Sequence, residues 1–421
     1  MPFFKFRKTP SGLGAQLTSN AEKMPRGKPL RYAKGIREEF ARRLPLSAAL
    51  IDRFTGKYLL KPGEDVDMKE PLWLFLKDHA RLGAATATSA LALTHLPLAP
   101  ALAAAGLMML LQLGPLRKNQ TLYGHEASHD NFFPRGHSLR DKKITVLGMP
   151  LGEFLGELAT AVSLVQNEED YRGAHDRHHD PKSFTTLQDD DARDVLDAGF
   201  APGKSVAAYW RQYWWNWISP RFHARQLIAR FKSNFVTARP ARKIMAVLSL
   251  SVLASLALVM PLHAWIFAIL VPWTWGYHIA GLSQVLNRHA WLQSAEGAKT
   301  IEAYAERTWG RFNGVPLPVE GLRGGAYLKA WTLWLIEMLF VEAPVRAASW
   351  SPDLQAHDYH HLEWYGPEEF VDDWTTMPAR RQSAIDRGAD LYCMRDRELW
   401  GWRNAMNHGF EKLSQAPKLD D

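Results

Sequence analysis

Two long stretches of the chain contain no charged side chain. Leu82 to Leu116 is 35 consecutive residues without Asp, Glu, Lys or Arg, and Ile244 to Leu286 is 43. About 20 apolar residues cross a bilayer as a helix, so the second stretch predicts two spans and the first predicts two short ones. Pro97 and Pro100 fall near the middle of the first stretch, and Pro261 and His263 near the middle of the second. Proline breaks a helix by removing a backbone donor, so each stretch reads as a hairpin with its turn on the far side of a membrane. Uncharged runs of this length argue against a pair of core helices in a soluble protein.

The flanks give the orientation. Arg117 and Lys118 follow the first stretch, Arg239, Arg242 and Lys243 precede the second, and neither turn carries Lys or Arg. By the positive-inside rule, both termini and all that lies between the hairpins face the cytoplasm, at the plasma membrane if the cell is bacterial.

Outside the hairpins the periodicity is weaker. Residues 1–81 read as a basic cytoplasmic region with amphipathic pieces at Gly35 to Leu44 and Ala48 to Leu60; the start lacks the apolar run of a secretory signal. Ile144 to Val165 is largely apolar but holds Glu153 and Glu157, which predicts an interfacial or re-entrant segment rather than a fifth span. Trp331 to Val341 reads the same way. Tyr209 to Trp217 packs aromatic and polar groups together as interfacial belts do. Phe222 to Phe235 mixes Arg225, Arg230 and Lys232 with Leu227, Ile228 and Phe231, as a surface-lying helix does. The expected fold is all-α: an integral membrane protein with about four spans, within 82–116 and 244–286, and a large helical cytoplasmic cap. The membrane and catalytic domain is placed at 82–370, and 371–421 is read as a cytoplasmic tail.

Composition alone looks soluble, with 47% hydrophobic and 23% charged residues in 421. That average blends two uncharged blocks with a highly charged remainder. The 17 Trp fit a lipid boundary, and the net charge of +7 fits anionic headgroups or the docking of an acidic protein; no nucleic acid is expected as a partner. The single Cys393 excludes an intramolecular disulfide and a thiolate zinc cluster. Asp189-Asp190-Asp191 reads as a solvated loop.

Histidine carries the chemistry. Eight of the 16 His fall in three five-residue windows: His125-Glu126-Ala127-Ser128-His129, His175-Asp176-Arg177-His178-His179 and His357-Asp358-Tyr359-His360-His361. On a helix, positions i, i+3 and i+4 share a face, so each window can aim two or three imidazoles at one place. Neutral imidazole is the commonest metal ligand and suits Fe, Zn, Cu or Ni. Eight convergent nitrogens exceed the needs of one ion, which implies two. His289, just past the second hairpin, is a candidate ninth ligand. His278 reads as a packing or polar-contact residue, while His79, His95, His137, His223, His263 and His408 have no partner spacing. Asp176, Asp180, Asp358 and Glu363 are candidate outer partners for the imidazoles.

Two apolar hairpins with HxxxH, HxxHH and HxxHH boxes resemble the membrane fatty acid desaturase superfamily over about residues 70 to 370. The resemblance implies two iron ions held by His125 and His129, by His175, His178 and His179, and by His357, His360 and His361, with His289 as the ligand found beyond the fourth span in structurally known members. It implies O2-dependent attack on an acyl chain of a lipid, introducing a double bond, or a hydroxylase or ketolase outcome at the same site. The interval between boxes one and two is longer than in the common acyl-lipid enzymes. The chain has no fused haem module, dinucleotide fingerprint or iron–sulfur cysteine set, so the electrons are expected from a separate ferredoxin or small haem protein. No catalytic residue beyond the metal ligands is singled out. Two rivals stand beside this reading. His125-Glu126-Ala127-Ser128-His129 also matches the H-E-x-x-H of a membrane zinc metalloprotease, with Glu126 as general base. A His-rich protein that stores or transports metal is the other; it would place ionisable groups along the spans, where only His95, His263 and His278 lie.

Overall fold

A computed structural model of the protein describes residues 35–59, 68–350, 355–362, 373–388 and 391–418. Residues 1–34 of the basic region and Glu363 lie outside them. The described chain is mostly helical, with two short two-stranded ladders.

Two helices near the N-terminus, α1 (Ile36–Arg43) and α2 (Ala48–Thr55), fall on the predicted amphipathic pieces. The first long hairpin follows. Helix α3 (Pro71–His95) starts where Glu70 accepts from the backbone N–H of Leu72 and Pro71 takes the first turn, where its missing donor is harmless. It ends at Leu96-Pro97, and α4 (Leu98–Lys118) returns alongside it. Pro115 lies inside α4, and a wide π turn at Asn119–Gly124 then leads directly into His125–Ser128. Such turns recur at functional sites, because one extra residue re-aims the side chains that follow. The second hairpin has α10 (Pro240–Val259), a break at Met260-Pro261, and helical turns from Leu262 through two π segments into α11 (Tyr277–Val285). Both breaks occur at the prolines that the sequence singles out.

Two helices, Leu98–Ser128 and Pro240–Val259, are long and apolar enough to cross a membrane. Only 28% and 17% of their apolar windows are buried in the protein, whereas a soluble core helix would be mostly covered. Their partners fall short of that apolarity: α3 carries Lys77, Asp78 and Arg81, and Leu262–Val285 carries His263, Pro272, three Trp, Tyr277 and His278. Leu91, Leu102, Leu107, Val247, Leu248, Val252 and Leu258 are exposed on these hairpins. In water each would forgo roughly 1.5–3 kcal/mol of burial.

The cap is built on α5 (Leu151–Val162), α6 (Glu168–His179), α7 (Asp190–Asp197), α8 (Val206–Ile218) and α9 (Pro220–Phe231). The apolar run Ile144 to Val165 divides into an antiparallel ladder, Thr145–Val146 with Met149–Pro150, and then α5. Its carboxylates answer the cations at the head of α10: Arg239 bonds Glu153 at 2.7 Å, and Arg242 lies 3.6 Å from Glu157. Helix α5 lies close against the first histidine box. A Cβ at Gly156 would stand 2.3 Å from the Ala127 Cβ, so only glycine permits that approach. On α8, Tyr209, Tyr213 and Asn216 face inward, while Trp214, Trp215 and Ile218 face out. Helix α12 (Gly324–Glu337) takes in the first part of the region predicted as interfacial and buries none of its residues, whereas the π segment Met338–Glu342 that follows buries Met338 and Glu342.

The described part of 371–421 is core rather than a detached tail. It contains α14 (Met377–Asp386), a strand at Glu398–Trp400 parallel to Gly310–Phe312, and α15 (Trp402–Gln415). Trp402 and Phe410 pack with Leu286, Trp291 and Trp309 at the foot of the second hairpin, and the Trp402 indole donates to Ser283 Oγ at 2.7 Å.

Candidate metal centre

Each histidine box has a local reason for its shape. Box one rides the end of the π turn. Box two closes α6, a helix capped by Asn167, with Glu168, Glu169 and Asp170 at its positive end and imidazoles at its negative end. It stops at Asp180, ahead of Pro181. Box three is α13 (His357–Leu362), buried throughout. His289 is pinned by a backbone bridge to Thr308, and its neighbour Asn287 is bonded by Arg311 from the Gly310–Phe312 strand.

All nine predicted ligands come together, and they sort across the boxes rather than by box. His125, His129, His175, His179 and His360 form one group, and His178, His289, His357 and His361 form another; within each, one nitrogen per ring lies within 4.8 Å of all the others. Nε2 atoms are paired at 2.9 Å (His125 and His360), 3.0 Å (His129 and His175; His289 and His357) and 3.1 Å (His179 and His360; His357 and His361). The groups adjoin, with the rings of His179 and His361 stacked at 4.4 Å.

The donor set fits metal ions. His–metal bonds are about 2.0–2.1 Å, so neighbouring nitrogens on one ion stand about 3 Å apart. Burial holds His129, His175, His179, His289, His357 and His361 far below the ordinary imidazole pKa, and adjacent imidazoles press the same way. The rings are therefore neutral near neutral pH, the form that binds metal. Outer contacts fix some ring orientations. His178 Nδ1 donates to Asp189 at 2.9 Å, His361 Nδ1 meets the Tyr304 hydroxyl at 2.7 Å, and His125 Nδ1 faces the Thr121 carbonyl at 3.3 Å. In His178 the carboxylate partner puts the proton on Nδ1, which leaves the Nε2 lone pair turned inward.

Asp189 corrects the reading of the acidic run as a solvated loop. It is fully buried, accepts from the backbone N–H groups of Thr185 and Asp191, and caps α7 while holding His178. An Asp ahead of a helix is a capping signal, and here the same carboxylate serves the cap and the imidazole. Asp358 pairs with Arg381 instead of with a ligand histidine. Asp180 accepts from Lys182 N, and among the described residues neither it nor Asp176 is bonded to a box imidazole. Tyr304 has no sequence signal. Arg288 bonds Asp191 and stands 3.4 Å from His178 Nε2. The remaining histidines join neither group: His223 faces His278 at 3.1 Å, His137 meets Glu70, and His263 Nε2 accompanies the Leu93 carbonyl at 3.0 Å.

Asp189→Asn keeps the size and removes the charge that orients His178. Metal affinity is expected to fall about 10–100-fold, the usual effect of losing such a partner. Chelator competition measures it, and an unchanged affinity would show that Asp189 serves the α7 cap alone. No known protein-family model matches this sequence, and neither does any curated protein.

Proposed function

We propose that this protein is a membrane-bound di-iron oxidoreductase of the fatty acid desaturase type that uses O2 to introduce a double bond into a lipid acyl chain. The observation that carries the reading is the sorting of nine histidines, seven of them buried, into adjoining groups of five and four, at the end of an apolar helix of membrane-crossing length. Two ions with this nitrogen set would supply the O2-derived oxidant that an unactivated C–H bond demands and that amino-acid side chains lack. The chain's own residues do the rest. The three boxes and His289 would hold the ions, Asp189 and Tyr304 orient His178 and His361, and the buried walls of Phe184, Trp291 and Leu362 keep water out. Taking two hydrogens from the chain while reducing O2 to two waters consumes two further electrons and two protons. A separate ferredoxin or small haem protein would supply the electrons.

On this reading the lower-apolarity helices complete four spans, the turns at Leu96-Pro97 and Met260-Pro261 lie on the far side, and the boxes face the cytoplasm. Exposed Trp214, Trp215, Ile228, Phe231, Leu328 and Phe340 would then rest at the lipid boundary.

The test is expression with an active reductant, followed by mass spectrometry of total lipids and metal analysis of the purified chain. A product lighter by two hydrogens, with about two irons per chain, is expected. A product heavier by one oxygen assigns hydroxylase chemistry to the same site. One zinc per chain, with all activity lost in Glu126→Gln, would replace this reading with the metalloprotease.

A further inference from the structure

Where the hairpins meet the cap, two arginines converge on one aromatic ring. The Arg117 guanidinium, at the end of α4, lies 4.5 Å from the centre of the Tyr277 ring, and that of Arg230, on α9, lies 5.1 Å from it. Arg117 is only 9% exposed; its Nη2 donates to Gln284 at 2.8 Å, and its buried Nε has no partner. Arg230 is held by the carbonyls of Ser163, Leu164 and Trp273, and its Nη1 lies 3.4 Å from His278, which faces His223. The carbonyls aim the guanidinium but provide only partial charge. Among the described residues no carboxylate pairs with either cation; the adjacent Lys118 has Asp78 for itself. Burial and the repulsion from Arg117 together hold the Arg230 pKa below its usual value, against the opposing pull of Tyr277. Room is kept beside Arg117 by Gly281, where a Cβ would stand 3.0 Å from Nη1.

A pair of partly buried guanidiniums without a counter-charge is costly, and an oxyanion removes that cost by accepting from their planar N–H forks. The location selects the anion. Arg117 ends the uncharged stretch and belongs to the positive flank, while α9 bears the exposed lipid-facing side chains Leu227, Ile228 and Phe231. We infer that Arg117 and Arg230, held against the ring of Tyr277, form a binding site for the phosphate of a membrane phospholipid. The site lies eight residues before His125 and is separate from both histidine groups. The inference rests on the chain's residence in a membrane, but not on the identity of the reaction.

The full chain, purified with its metal in a phosphate-free sugar detergent, provides the test. Native mass spectrometry should find a phospholipid retained through washing. Arg117→Met should lower that retention about tenfold, the effect of losing one charge-assisted contact. Gly281→Leu should do the same with both cations still present, by crowding the guanidinium. Metal content should be unchanged in both variants, which separates this site from the metal reading. Phosphatidylglycerol vesicles should restore the lipid and raise the unfolding temperature of the wild type. If inorganic phosphate raises it equally, the site takes free phosphate and the lipid assignment falls. A wild type that retains no phospholipid, or variants that retain it equally, would overturn the inference.

Discussion

A His360→Ala chain is expected to lose turnover by more than about 100-fold and to lose metal from the five-histidine group. His360 Nε2 lies 2.9 Å from that of His125 and 3.1 Å from that of His179, so it joins box one to box two. Removing it takes the point at which three separate segments meet. His178→Ala should be as damaging for a different reason. It is the only member of box two in the four-histidine group, and its loss leaves the buried Asp189 carboxylate with only the backbone N–H groups of Thr185 and Asp191. That variant should also unfold at lower temperature, since an underpaired buried carboxylate is expensive. His137→Ala is the matched control, because His137 pairs with Glu70 away from both groups. Metal per chain and product per chain, measured together, decide the matter. Full activity in His360→Ala or His178→Ala would refute the ligand assignment.

Local chemistry was legible in the sequence, and pairing in space was not. The helix breaks at Leu96-Pro97 and Met260-Pro261 follow from prolines near the middle of uncharged stretches long enough for two helices, and the amphipathic pieces at the N-terminus follow from their own periodicity. The histidines could be identified by spacing, but a linear motif does not say that His179 sits with His360 while its neighbour His178 sits with His289. On α6, adjacent residues point about 100° apart, so one box naturally serves two groups. The role of Asp189 is hidden in the sequence because three successive carboxylates have the pattern of a solvated run. Only the fold shows that the first is buried between a helix N-terminus and an imidazole. Asp358 sits inside box three, where its position in the sequence predicts an outer partner for an imidazole. The helix turns it to the opposite side, toward Arg381, a residue with no motif of its own. Spans were harder to count than hairpins. Helix α3 carries Asp78, which takes both Lys118 and the Tyr123 hydroxyl at 2.8 Å, and such internal pairing lowers a helix's apolarity without exposing a charge.

That arginine leads to the second large effect. Arg381 is 2% exposed and reaches three ways: to both oxygens of Asp358 at 2.9 and 2.7 Å, to Glu398 at 2.9 Å, and to the Met394 carbonyl at 2.9 Å. Lys57 completes the set by pairing with Glu398 at 2.6 Å, so two cations balance two buried carboxylates. Burial opposes the charge on Arg381, yet Asp358 and Glu398 outweigh it and raise the Arg381 pKa above its ordinary value. Replacing a buried ion pair as a unit can be neutral, but removing one member strands the other, at a loss of about 3–5 kcal/mol. Arg381→Ala strands Asp358 in this way, and Asp358 belongs to the short helix that presents His357, His360 and His361. Both stability and metal retention should therefore fall. Arg381→Lys should recover only part of the loss, because a point charge cannot reach two carboxylates and a carbonyl at once. Adding Asp358→Asn to Arg381→Met should recover more stability than either Arg381 variant alone, since it removes the stranded charge. Denaturant unfolding of the metal-free chain isolates the packing contribution from ligand binding. A shift below about 1 kcal/mol for Arg381→Ala would mean that the box-three helix is held by its packing against Tyr304 and Phe184, and that the ion pairs contribute little.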